Sequence, residues 1–193
     1  MSDARNAPDP GPSSGAPLGP DALPELSHLA PPDAAGRRGA RMVDVGGKEV
    51  TRRTALARAL VVFPPGLLEA VLRGQGPKGP IEEVARLAGI LGAKRTGELI
   101  PLCHPLGLDA VDVTLARVAA DTLEVRCRAS CAGRTGVEME ALMGASLAAL
   151  TVYDMTKAAS KGIRIERVEL LEKTGGRSGH WRAEGANDAP APP

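Results

Sequence analysis

Glu138, Met139 and Glu140 stand near one end of a continuous helical stretch, and Tyr153, Asp154 and Lys157 stand near its other end. Carboxylates and an ammonium so placed are the groups that proton transfer uses. Residues 136–160 contain no proline, are rich in Ala, Leu and Met, and repeat apolar side chains at helical spacing through Ala141, Leu142, Ala145, Ala148, Ala149, Val152 and Tyr153. Asp154 and Lys157, three residues apart, share a face of that helix. By themselves they read equally well as a solvated ion pair of the kind that decorates many helices.

Four further clusters carry polar chemistry. Lys78 sits in the Gly- and Pro-rich turn 74–80, and Lys94 and Arg95 precede a loop, Leu102-Cys103-His104, that Pro101 and Pro105 stiffen. Arg134 and Thr135 come just before the expected helix start at Gly136, whose free amides attract anions. The run from Lys173 to Gly179 combines glycines, hydroxyls and two cations, a composition that suits phosphate or an ordinary turn. It lacks the spacing of a nucleoside-triphosphate P-loop.

The chain's 193 residues fit one domain, and 43% apolar residues suffice for a core. Only 2% are aromatic, so the core must be aliphatic and a stacking platform for single-stranded nucleic acid is not available. A formal net charge of +1 gives no global pull toward nucleic acid or an anionic membrane. Any anion site must be a local group of Lys and Arg. Cys103, Cys127 and Cys131 form an odd set without the CxxC spacing, and a zinc site made from them with His104 matches none of the common motifs. Cys127 and Cys131 read instead as small apolar strand residues. With no signal peptide and no apolar run of membrane-spanning length, a reduced cytoplasmic protein is expected.

Eight of the seventeen prolines fall in residues 1–40, a segment too poor in large apolar groups to offset its ordering entropy, so it reads as a disordered tail. Residues 183–193 repeat that composition, which leaves 41–182 as the folded unit. Within it, 50–63 alternates like a strand but holds helix-forming alanines and leucines, and propensity does not decide between them. A short helix over 67–73, a helix over 81–98, an antiparallel pair over 108–115 and 123–127 turning near 119–121, the long helix, and a closing strand over 163–170 follow. That order suggests an α+β fold with long helices on one face of an antiparallel sheet.

Seven blocks in order resemble one family: Met42-Val43-Asp44-Val45, Lys78-Gly79, Ala93-Lys94-Arg95-Thr96, Leu99 through Leu106, Thr135 through Ala141, Tyr153-Asp154-Met155 with Lys157, and Lys173 through Gly179. They are similar to the cyclic pyranopterin monophosphate synthases, the molybdenum-cofactor biosynthesis protein C family. Pro80 departs from the acidic residue this family more often carries, and residues 1–40 lie outside the resemblance. The resemblance implies a ferredoxin-like subunit in a homohexamer, a trimer of dimers with interfacial active sites. It implies a lyase that converts a nucleotide-derived triphosphate, 3′,8-cyclo-7,8-dihydroguanosine 5′-triphosphate, into cyclic pyranopterin monophosphate and pyrophosphate. By motif, Asp154 would be the general acid/base, Lys157 its catalytic partner and Lys78 a further catalytic or phosphate-binding lysine. Leu102, Cys103, His104, Met139 and Glu140 would contact substrate, and Arg53 and Lys173 would hold phosphate. No cofactor is implied; Mg²⁺ would suit a triphosphate, but no carboxylate cluster stands out to hold it.

Helix geometry bears on this assignment. Fourteen residues separate Glu140 from Asp154, about 21 Å at about 1.5 Å per residue, so a nucleotide-sized substrate would not touch both on one helix. A second subunit that supplies one of them resolves the conflict. Two rival classes remain: a non-catalytic module that binds nucleotides or RNA, and a cysteine hydrolase using Cys103 and His104. The second is disfavoured because adjacent side chains seldom point so that one activates the other.

Overall fold

The structure, a computed structural model, describes residues 30–73 and 80–184. Most of the two expected tails, and the turn that carries Lys78, lie outside the described residues. In 30–40 the Asp33 carboxylate accepts hydrogen bonds from the amides of Ala35 and Arg37, each at 2.9 Å, and closes a local turn.

The ambiguous segment 50–63 is a strand, β1 (Thr51–Val62). Ala55, Ala57, Ala59 and Val61 point into the core at 0–1% exposure. A sequence window rich in alanine mimics a helix, yet these alanines are small because a helix must come close above them. The chain continues through α1 (Leu67–Arg73), α2 (Ile81–Lys94), α3 (Thr96–Leu99), β2 (Ala110–Ala119), β3 (Thr122–Gly133), α4 (Glu138–Thr156), β4 (Arg164–Thr174) and β5 (Trp181–Arg182). All strand pairs are antiparallel, in the order β2-β3-β1-β4-β5. Two βαβ halves wound so that β1 and β3 lie at the centre make a ferredoxin-like α+β fold, with α2 and α4 on one face.

Several boundaries differ from the sequence expectation. The helix expected over 81–98 breaks at Arg95, where ψ turns to 10°, and Thr96 Oγ1 donates back to the carbonyls of Gly92 and Ala93 at 3.3 and 3.0 Å. That side chain takes over the last carbonyls of α2 and redirects the chain into α3. The long helix starts at Glu138 rather than Gly136 and ends at Thr156, with Lys157 as its cap. Strand β4 runs on to Thr174, so Lys173 is a strand residue and not part of a glycine loop. Edge strand β5 has two residues and no sequence signature.

The core is an interlocking of small residues. Ala141, Ala145, Ala148 and Ala149 of α4 are fully buried with Cys127 and Ala129 of β3. Gly144 is where the helix lies closest to the sheet, because a Cβ there would overlap Cys127 Sγ and sit 3.2 Å from the carbonyl oxygen of Gly89 in α2. Gly144→Val is therefore expected to lower stability by about 2–3 kcal/mol through overpacking, read as a lower urea midpoint at unchanged m-value. On the other sheet face Glu124, 5% exposed, lies between Arg126 at 2.6 Å and Arg58 at 3.5 Å, and Arg58 also donates to Glu169 at 2.7 Å.

Candidate active site

Two chemical regions lie at opposite ends of α4. The first is a cleft of about 240 Å³ at its N-terminal end. One wall is the loop after α3, which brings Leu102, Cys103 and His104 to the opening; the floor is the first turn of α4 with Glu138, Met139 and Glu140. The loop is held near the helix layer because Gly97 lies against Pro105, where a Cβ would come within 3.0 Å of Pro105 Cα. A third wall comes from the segment before β1. Asp44 Oδ1 accepts the Gly46 amide at 2.8 Å and the Lys48 amide bonds Val45 O at 3.0 Å, a turn that carries Val43, Val45 and Lys48 to the cleft.

Cations stand beside this cleft. Lys173 Nζ lies 3.1 Å from Glu138 Oε1. Arg53 donates through Nε to Gly133 O at 3.2 Å and through Nη2 to Arg134 O at 3.4 Å, and Arg134 Nε donates to Lys48 O at 3.2 Å. Gly175 and Gly176, with φ of 96° and 72°, occupy backbone regions that side chains rarely adopt. A Cβ on Gly176 would fall on the Arg53 guanidinium, so these glycines leave room for the arginine beside the cleft.

Glu140 is the buried acid of this region, 4% exposed. Burial pushes its carboxyl above the ordinary value near 4.5, and the neighbouring Glu138 pushes the same way; a hydrogen bond from its own amide opposes them. The protonated form is thus favoured by folding, and wild-type stability falls as pH rises from about 4.5 through the raised value. Glu140→Gln removes that ionisation. Its melting temperature at pH 7 is expected to exceed wild type by a few degrees, roughly 1 kcal/mol, with the difference closing toward pH 4. Equal melting temperatures at both pH values would count against a strained buried carboxyl. Burial, and then the Glu140 carboxylate, also raises the Cys103 thiol. A thiol pushed up is a poor nucleophile, which argues against the cysteine-hydrolase reading. Cys127, buried and near Asp112, is pushed up to about 12, as befits a packed core thiol.

The second region is the C-terminal end of α4. Lys157 Nζ lies 2.7 Å from Asp154 Oδ1, and both side chains are 49% exposed. The hydrogen bond to Asp154, then its charge, raises the Lys157 ammonium. Five of the sequence candidates, Leu102, Cys103, His104, Met139 and Glu140, line the N-terminal cleft. Lys173 and Arg53 lie beside it, whereas Asp154 and Lys157 stand two heptads away along a continuous helix. Lys78 lies outside the described residues. Lys48 was missed: a lysine in an exposed turn before β1 has no local signature, and only the adjoining block Met42 to Val45 pointed to that segment. Among the described residues no group of three His, Cys, Asp or Glu side chains is placed to hold a metal ion, and no helix is long and apolar enough to cross a membrane.

The fold is a ferredoxin-like α+β domain that carries, at the start of its central helix, a cleft with a buried acid and with cations beside it. The MoaC family model matches residues 42–176, most of the chain. The chain belongs to the MoaC family. It is 54% identical over 159 residues to the cyclic pyranopterin monophosphate synthase of Novosphingobium aromaticivorans, covering 82% of this chain and 98% of that protein. Proteins of the same name from Chloroflexus aggregans and Thermomicrobium roseum are each 52% identical over 163 residues, 84% of this chain and 96% and 95% of theirs.

Proposed function

We propose that this chain is a lyase that converts 3′,8-cyclo-7,8-dihydroguanosine 5′-triphosphate to cyclic pyranopterin monophosphate with release of pyrophosphate, a step of molybdenum-cofactor biosynthesis. The observation that carries the reading is identity above 50% across nearly the whole length of relatives bearing that name. The cleft supports it. The guanine-derived ring presents N–H donors, which the buried Glu140 carboxylate can accept, with Leu102, Cys103, His104 and Met139 closing around the ring. Lys173 and Arg53 would take the phosphates at the rim, Lys173 exchanging Glu138 for phosphate oxygen.

Ring opening and rebuilding needs proton transfers, for which a carboxylate hydrogen-bonded to an ammonium is suited: Asp154 takes and returns the proton, and Lys157 holds it in place. Closing the cyclic phosphate forms one P–O bond from a sugar oxygen to the α-phosphorus and breaks the bond to the departing pyrophosphate. Lysines, Lys78 among them, offset the charge that develops. The chemistry calls for no resident cofactor; Mg²⁺, where it takes part, would be carried by the triphosphate. Because Asp154 and Glu140 lie at opposite ends of α4, the working unit is at least a dimer with interfacial sites, and we place it in a homohexamer built as a trimer of dimers in the cytoplasm. Incubation of the purified chain with the cyclic triphosphate, followed by detection of pyrophosphate and the cyclic monophosphate, tests the reading; absence of both products overturns it.

A further inference from the structure

Arg53 and Lys173 both stand beside the cleft, but their partners differ in kind. The Arg53 guanidinium donates to the main-chain oxygens of Gly133 and Arg134 at 3.2 and 3.4 Å, and these are neutral. Lys173 Nζ meets a charge: the Glu138 carboxylate at 3.1 Å, with both side chains 28% exposed. A phosphate can join Arg53 without displacing an ionic partner. At Lys173 it must replace one.

The pair is held by two separate elements. Lys173 is fixed in the sheet between Ala55 of β1 and Trp181 of β5, so an exchange of partners is a movement of side chains alone. Glu138 opens the first turn of α4, and its carboxylate is folded back over Gly136, where a Cβ would overlap it. Glycine at 136 therefore permits the pose. The free amides of a helix start favour a carboxylate there, and Val137, the N-cap, supplies no side-chain oxygen of its own. The same Glu138 side chain lines the cleft. A phosphate drawn to Lys173 and this carboxylate thus compete for one ammonium, because two anions crowded onto it repel each other.

We propose that Glu138 is a built-in competitor for the phosphate-binding ammonium of Lys173, which weakens the hold of the site on free pyrophosphate and so sets how readily that product leaves. The proposal rests on the reading that Lys173 takes phosphate. A substrate that carries a guanine-derived ring also meets Glu140, Met139 and the loop around His104, and these contacts offset the competition. Pyrophosphate has only its charge. As it departs, the Glu138 carboxylate returns to Lys173 and closes the ion pair again.

Calorimetric titration of the purified chain with inorganic pyrophosphate, at fixed ionic strength and without substrate, tests the competition. Glu138→Gln keeps the side-chain shape and removes the charge, and it is expected to bind pyrophosphate about 3–10-fold more tightly than wild type, between the effects of an exposed ion pair and of a charged hydrogen bond. Glu166→Gln makes the same change of charge at an exposed position toward the other end of β4, and should bind as wild type does. Lys173→Ala should bind more weakly, and in that background Glu138→Gln should no longer tighten binding. The proposal is overturned if Glu138→Gln binds no tighter than wild type, if Glu166→Gln tightens binding equally, if Lys173→Ala binds as wild type does, or if the gain from Glu138→Gln persists without Lys173. Turnover separates this result from the functional reading. A chain in which the competition holds but the cyclic triphosphate yields no product would lose the functional reading and keep the competition, whereas turnover without tighter binding by Glu138→Gln would do the reverse.

Discussion

Asp154→Asn is expected to lower turnover by about 10²–10⁴-fold, the contribution of a positioned general acid/base, with fold and assembly unchanged. The substitution keeps the side-chain volume and removes only the ability to take and return a proton. Its site is the last turn of α4, half-exposed, where Asp154 meets Lys157. Lys157→Ala should be similarly damaging, whereas Lys161→Ala, just beyond the helix in an exposed turn, should leave the rate almost unchanged. Pyrophosphate release over time, with a thermal melt of each variant alongside, is the measurement. A near-normal rate for Asp154→Asn would reduce its pair with Lys157 to a surface ion pair of ordinary kind.

The second large effect is a recovery. Glu140→Ala and Asp154→Asn are each expected to be inactive alone, and their mixture to regain about a quarter of wild-type activity after subunit exchange. Random reassortment makes roughly half the dimers mixed, and each mixed dimer holds one pocket with both residues native and one with neither. Native mass spectrometry establishes that exchange has taken place. Exchange without recovery would mean that each pocket draws both residues from one chain, which a straight α4 of nineteen residues does not allow, or that Glu140 has no part in it.

Much of this architecture was legible because its signals are local. Pro64-Pro65-Gly66 announces α1, and the expected bounds 67–73 are those observed. The alternation in β2 and β3 and the unbroken apolar period of α4 place the sheet and its central helix within a few residues of most of their observed ends, but β3 runs six residues past Cys127 to Gly133. What was not legible depends on contacts between distant segments. The alanines of β1 are strand residues only because β3 and β4 pair with them on both sides and α4 lies close above. The break at Arg95 comes from a hydroxyl that competes for two carbonyls, and helix propensity contains no such term. At the site, the order of motif blocks brought together the loop around His104 and the start of α4, but the approach of Lys48 depends on the chain folding back before β1.

The single tryptophan of the chain, Trp181, lies in the two-residue edge strand β5 and is 39% exposed, far from the alanine-packed interior. Its partner on the sheet is Lys173, the cation at the rim of the cleft. Intrinsic fluorescence excited at long wavelength therefore looks at the margin of the molecule that adjoins Lys173, a phosphate ligand in the proposed function, and far-UV circular dichroism looks at the body. The emission of Trp181 is a built-in optical reporter of events at Lys173, readable without any label.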